Sequence, residues 1–390
     1  MNHKYKKMIF IILIISTFMH CNNQKNQNKI NTSEEIVIQV NTSKSETFDI
    51  IEFHKDFNCS IHYIPLETTN ESLIGKIKKV YLLRDIIIVF DKKTDRILLF
   101  HQDGRFIRQI GQRGQGPDEY YTLNDIFFEE STELIYAHER LKNIIFVFNI
   151  EGTIVDRIKP DFMFNSFCKT KDGFWLYTCF KHNNPNGYNL MLVDYSMKKM
   201  IGGYFPQHPN FVNVASDVVR FRFDSEGRAY FTYPTSSCVY LLDNAIPKIF
   251  CRIDFGNKNA PYNEIAKISS IEEYDIIMEN DYFIIGDYHI WNNNLIFSFK
   301  ESSFNKPHAV FFGYYNNKKS KCNIYRNSKI SKELPTTSVL NNSRYYLIYS
   351  IFPFELDVDE LSYMEKQIGK KLDEEDNPIL IICSPKILNY

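Results

Sequence analysis

Forty-eight residues separate two near copies of one short pattern in this chain. Ile97 to Gly104 reads ILLFHQDG and Ile145 to Gly152 reads IFVFNIEG, each an apolar run closed two residues later by an acid-glycine turn. A period of that length marks a repeat architecture, in which each unit is too small to bury its own apolar surface and must stack on its neighbours. Around the first copy lie four short strand-like runs, at 78–83, 86–90, 96–100 and 106–110. Arg84-Asp85, the segment 91–95 and Gln102 to Gly104 separate them.

Four short antiparallel strands joined by tight turns make one blade of a β-propeller. A second unit repeats the plan at 125–128, 134–137, 143–148 and 153–158, and a looser third at 166–168, 173–177, 188–193 and 199–205. A fourth begins at Val218 with strands near 224–231, 238–242 and 248–253. A fifth carries 289–299, 309–315 and 321–325, and a sixth 345–349 and 378–383. Apolar residues at spacings of three and four predict a helical insertion over 357–376, and 263–279 is a second helical candidate. With these segments removed, the span from Leu73 to Tyr390 holds six units of this period. The expected fold is therefore all-β, a six-bladed β-propeller of four-stranded antiparallel blades over 46–390. Short strand candidates come before the first full unit at 36–40, 48–53 and 59–66. The run from Cys59 to Leu66 is expected to pair with the last blade and latch the ring.

Composition supports a large strand-rich core: 44% of the 390 residues are apolar, with 32 Phe and 25 Tyr against 15 Gly. The N-terminus reads MNHKYKK, then a twelve-residue, mostly apolar run (MIFIILIISTFM), then His20-Cys21. Twelve residues are too few for a bilayer core of about 30 Å, so residues 1–20 read as a signal peptide. Two versions remain open: a lipoprotein signal in which Cys21 becomes the lipidated first residue, and an ordinary secretory signal. The first is carried forward, and both predict export. The polar run that follows, within 21–45, is expected to be a flexible tether. Without residues 1–20, 43 basic residues face 47 acidic ones; this near balance argues against a nucleic-acid footprint, which needs a clustered positive surface. Seven cysteines lie beyond Cys21, widely spaced and without metal-ligand spacing, and read mostly as buried apolar residues, with a Cys168–Cys179 bridge as an open alternative.

At Gly111 to Tyr120 (GQRGQGPDEY), following Asp103 to Ile110, the chain resembles the exported six-bladed β-propeller lipoproteins of Bacteroidota-type bacteria, relatives of the NHL-repeat propellers. Ile64 to Glu67 (IPLE), Leu73 to Ile77 and Asn377 to Ile381 (NPILI) carry further likeness. The resemblance implies the fold and an outer-membrane location on the periplasmic or cell-surface face. It implies no reaction and no catalytic residue.

The glycines at 111, 114 and 116 lack the following helix and the Gly-Lys-Ser/Thr ending of a phosphate loop. They are expected instead to supply positive φ in a connector between blades, with Pro117 fixing its exit. Arg113, Gln115, Asp118, Glu119 and Tyr120 form the candidate ligand-binding surface on that connector. The aromatics Trp175, Tyr188, Tyr204, Tyr233 and Trp291 are candidates for stacking on a sugar or peptide. No zinc-hydrolase or nucleophile-elbow motif occurs, and no cofactor or metal is expected. Asp217, Asp224, Glu226 and Asp287 are noted because propellers of other families line the channel with carboxylates. The leading expectation is a lipid-anchored envelope module binding a glycan, peptide or protein partner. The alternative is a metal-assisted hydrolase or lyase acting at the central channel, and a third reading is a structural scaffold.

Overall fold

The computed structural model describes residues 35–48, 59–178, 187–206, 219–233, 236–265, 267–268, 270–291, 294–302, 310–327 and 346–385. Three short strands lead: β1 (Ile36–Gln39), β2 (Glu46–Phe48) and β3 (Cys59–Pro65). Blade one follows as β4 (Ile77–Leu82), β5 (Ile86–Asp91), β6 (Arg96–His101) and β7 (Phe106–Ile110). Blade two is β8 (Leu123–Glu129), β9 (Leu134–Glu139), β10 (Ile144–Phe148) and β11 (Ile154–Ile158). Blade three is β12 (Ser166–Thr170), β13 (Gly173–Tyr177), β14 (Tyr188–Val193) and β15 (Met200–Pro206). Blade four is β16 (Phe221–Phe223), β17 (Ala229–Thr232), β18 (Cys238–Asp243) and β19 (Ile246–Asp254). Blade five is β20 (Phe283–Trp291), β21 (Asn294–Glu301), β22 (Val310–Asn316) and β23 (Lys321–Asn327). Blade six shows β24 (Leu347–Ile351), β25 (Ile379–Pro385) and, as its outer strand, β3.

The fold is the expected six-bladed propeller of antiparallel blades, and the expected boundaries over the first three blades fall within a few residues of the observed strands. Their legibility is chemical. The strands are runs of Ile, Val, Phe, Leu and Tyr buried between sheets, and the turns between β6 and β7 and between β10 and β11 place Gly104 and Gly152 at φ near +90°. At Gly104 the glycine is also steric: a Cβ there would lie 2.1 Å from the carbonyl oxygen of Pro65, at the end of β3.

The ring closes as expected, and more is stitched than the latch. β3 pairs antiparallel with β25 from Cys59 opposite Pro385 to Pro65 opposite Ile379. Asn377, just before β25, accepts from the Ile74 amide at 2.7 Å and donates to the Glu67 and Ser72 carbonyls at 2.7 and 2.9 Å. One buried amide thus ties the last blade to the entry of the first.

The first two strands do something the alternation did not reveal. β1 adds in parallel to β19, the outer strand of blade four, and β2 adds in parallel to β23, the outer strand of blade five. The N-terminal segment therefore runs along the outer edges of three successive blades and covers backbone groups that an edge strand would leave open. The propeller accordingly begins at Ile36, inside the stretch expected to be a tether, because Ile38 is buried in the core shared by blades four and five. Residues 1–34, with Cys21 and the expected signal peptide, lie outside the described residues.

Helices are short. α1 (Tyr262–Ile265) and α2 (Ile271–Met278) precede blade five, and α3 (Val358–Ile368) lies between β24 and β25. α3 is shorter than the insertion read over 357–376, because Gly369 adopts φ +74° and its amide returns to Glu365, a left-handed stop that ends a helix. Asp357 and Glu360 cap the other end reciprocally.

Candidate functional site

The first strands of adjacent blades, β8, β12, β16 and β20, lie against one another and so line the axis. Charge is buried there. The Lys79 ammonium on β4 sits 2.7 Å from Asp125 on β8 and donates to the Ile126 carbonyl at 2.7 Å. Asp125 also accepts from the Phe167 amide on β12 at 3.3 Å. Across the axis, Arg222 on β16 donates to both oxygens of Asp287 on β20, at 2.7 and 2.8 Å, and to the Tyr288 carbonyl at 3.1 Å. The register shifts of β4, β8 and β20 fall next to Lys79, Asp125 and Asp287. A bulge re-aims the side chain beside it, and here each turns a charge out of the interblade packing.

Burial sets the titration of these groups. It pushes Lys79 below the ordinary lysine range against the pull of Asp125, and pushes Asp287 up against the attraction of Arg222. Burial, helped by Arg222, drives His289 on β20 down to about 3, so this imidazole is neutral. Burial also raises the Cys168 thiol, which is not an activated nucleophile. Among the described residues no group of three His, Cys, Asp or Glu side chains is placed to hold a metal ion.

A second feature lies at the far ends of β8 and β12. A cleft of about 590 Å³ opens between blades two and three, floored by Phe127, Tyr136, Phe174 and Phe223. At its wall Lys169 donates to Glu129 at 2.8 Å and to the Tyr136 hydroxyl at 2.9 Å. Burial opposes the charge of Lys169, but these bonds outweigh it and raise its pKa; they also hold Glu129 low against burial. Tyr195 stands half exposed at the mouth, with its hydroxyl on the carbonyls of Thr170 and Lys171. Aromatic surface beside a fixed charged pair is suited to an amphipathic ligand.

The connector residues singled out from sequence fare unevenly. Tyr120 is fully buried between blades one and two, so its ring is not offered at the surface. Asp118 pairs with Arg157, Arg113 stacks on Tyr121 at 5.8 Å, and Gln115 is exposed. Glu119 accepts from the Gly116 amide at 2.8 Å. Of the three connector glycines, Gly111 has positive φ; Gly114 and Gly116 do not, and instead leave room for the Glu119 carboxylate, which a Cβ at Gly114 would meet at 1.9 Å.

Trp175, Tyr233 and Trp291 are core residues, while Tyr188 and Tyr204 are half-buried. Asp224 closes a turn with Arg228 and Tyr230, Glu226 is exposed beside Arg228, and of the noted acids among the described residues Asp287 reaches the axis. Asp217 and Cys179 lie outside the described residues, and Cys168 is a free thiol. Sequence reading passed over Lys79, Asp125, Arg220, Arg222 and Lys169. Their signal was a charge inside an apolar strand run, as in KKVYL, LNDIFF and VVRFRF.

These features define a closed six-bladed β-propeller with an ion-paired axis and an amphipathic cleft between two blades. The chain belongs to the family described as a domain of unknown function (DUF4934), whose pattern matches residues 34–384. Among solved structures it is similar to a protein of Bacteroides fragilis described as exported, at 14% identity and TM-score 0.68, with 89% of this chain and 98% of that one covered. It is also similar to a member of the DUF4221 family from Bacteroides vulgatus, at 10% identity and TM-score 0.51, covering 83% and 96%. At such identities the likeness establishes the fold. No curated protein matches the chain.

Proposed function

We propose that this chain is a binding and scaffold propeller of the bacterial cell envelope rather than an enzyme. In this reading the N-terminal segment directs export and lipid on Cys21 anchors the protein to the outer membrane. The propeller, kin to the NHL-repeat type, then holds a glycan, peptide or protein partner. The similarity to a protein described as exported supports the address. The observation that carries the binding role is the cleft between blades two and three, where an aromatic floor meets the Lys169–Glu129–Tyr136 cluster. Arg113, Gln115 and Asp118, at the opposite end of β8, add a second polar rim.

The enzymatic alternative calls for convergent acids, histidines or amides at the axis. Of the cations on the described axis, Lys79 and Arg222 already engage its two carboxylates and Lys78 lies beside them, while His289 is neutral and buried. That chemistry suits an anion better than a divalent cation.

The test is a panel of envelope glycans and peptides offered to the full-length protein in mild detergent. Lys169→Ala and Tyr195→Ala should each weaken the captured ligand about tenfold, a loss of about 1.4 kcal/mol. Ligand capture that survives both substitutions would remove the cleft from the reading, and a panel with no ligand would remove the binding role. Mass spectrometry of the mature N-terminus, with Cys21→Ser as control, checks the lipid.

A further inference from the structure

Beside the two ion pairs, the axis holds two more cations. Lys78, nearly buried, donates to the Asn124 carbonyl and lies 3.9 Å from Asp125. Arg220, immediately before β16, is 5% exposed. Its guanidinium lies over the ring of Tyr177 at 5.6 Å, and its Nε is buried without a hydrogen bond. The Tyr288 hydroxyl donates to the main-chain carbonyl of Arg220 at 3.1 Å, which holds the backbone in place. Arg222, two residues on, already spends its fork on Asp287.

Lys78, Lys79, Arg220 and Arg222 thus face Asp125 and Asp287, an excess of two positive charges among the described side chains of this cluster. An arginine cannot shed its proton to escape burial. A buried charge with no partner is strongly unfavourable, and a planar guanidinium with open donors matches the geometry of an oxyanion.

We propose that this end of the axis is an oxyanion-binding site, with Arg220 the principal contact for the carboxylate or phosphate of a small molecule. The bound group supplies the negative charge the axis lacks and accepts the donors that Arg220 leaves open. The site is distinct from the cleft between blades two and three and does not depend on it.

The experiment follows the thermal midpoint and binding heat of the full-length protein in mild detergent and low-salt buffer. It is titrated separately with inorganic phosphate, D-galacturonate and D-galactose. A saturable rise in midpoint with phosphate or galacturonate, and none with galactose, is expected, and the anion that binds identifies the source. Arg220→Met should weaken that binding at least tenfold while leaving the midpoint without anion unchanged or higher, because an unpaired buried charge is replaced by an apolar chain of similar length. Lys169→Ala should leave the anion response intact. The proposal fails if neither anion gives a saturable response, if the response persists in Arg220→Met, or if that variant lowers the anion-free midpoint, which would make Arg220 a structural residue.

Discussion

At the scale of single residues, the axis shows how burial governs charge more than composition does. His289 is buried and neutral, with a pKa of about 3 in the folded chain, whereas an unfolded histidine titrates near 6.5. Between those values the unfolded chain binds a proton that the folded chain refuses, so stability is full above pH 6.5 and falls as pH drops through it. The slope is about 1.4 kcal/mol per pH unit. Urea denaturation at pH 7.5 and pH 5 should therefore differ by about 2 kcal/mol from this residue. His289→Gln should remove most of that difference; an equal pH dependence in the variant would show that other groups carry it. Lys79, Asp125, Arg222 and Asp287 were individually visible as charges in apolar runs, but an isolated charge in a strand reads the same whether it faces a partner, a turn or solvent.

At the scale of elements, strands and turns were legible because their signals are local. Apolar runs of five or six residues, acid-glycine turns and a 48-residue period need no knowledge of the rest of the chain. The N-terminal strands were legible as strands and illegible as partners. β1 pairs in parallel with β19, more than 200 residues away, and parallel addition at an outer edge leaves no periodic mark in either sequence. A chain starting at residue 46 should consequently melt lower than one starting at residue 22 and should self-associate, since it uncovers the outer strand of blade four and removes the buried Ile38. Light scattering and thermal melts of the two chains decide this. Equal midpoints and monomers in both would mean that β1 contributes little.

At the scale of the whole molecule, stability depends on closure. Each blade offers apolar faces that only its neighbours cover, so opening one interface exposes two faces at once. Asn377 sits at that interface with three side-chain hydrogen bonds to Ile74, Glu67 and Ser72. Asn377→Ala leaves one buried donor, the Ile74 amide, and one buried acceptor, the Ser72 carbonyl, without it, while the Glu67 carbonyl keeps the Ser72 hydroxyl; at about 1–3 kcal/mol for each unsatisfied group the loss should reach about 2 kcal/mol or more. Equilibrium urea denaturation measures it, and a loss below 1 kcal/mol would mean that the pairing of β3 with β25 closes the ring unaided.

The sequence by itself determined the repeat, the blade count, the turn glycines and the meeting of Cys59 to Leu66 with the last blade, because each follows from short-range alternation or from the need of a ring to close. Only the tertiary structure decided which side chains meet at the axis. Lys79, Asp125, Arg222 and Asp287 come from four different blades, and bulges in three strands aim them. Alternation assigns a side chain to one face of a sheet, but it does not say which faces converge. The same reason placed Tyr120 in the core and Lys169 on the wall of a cleft: both positions are set by how one blade stacks on the next.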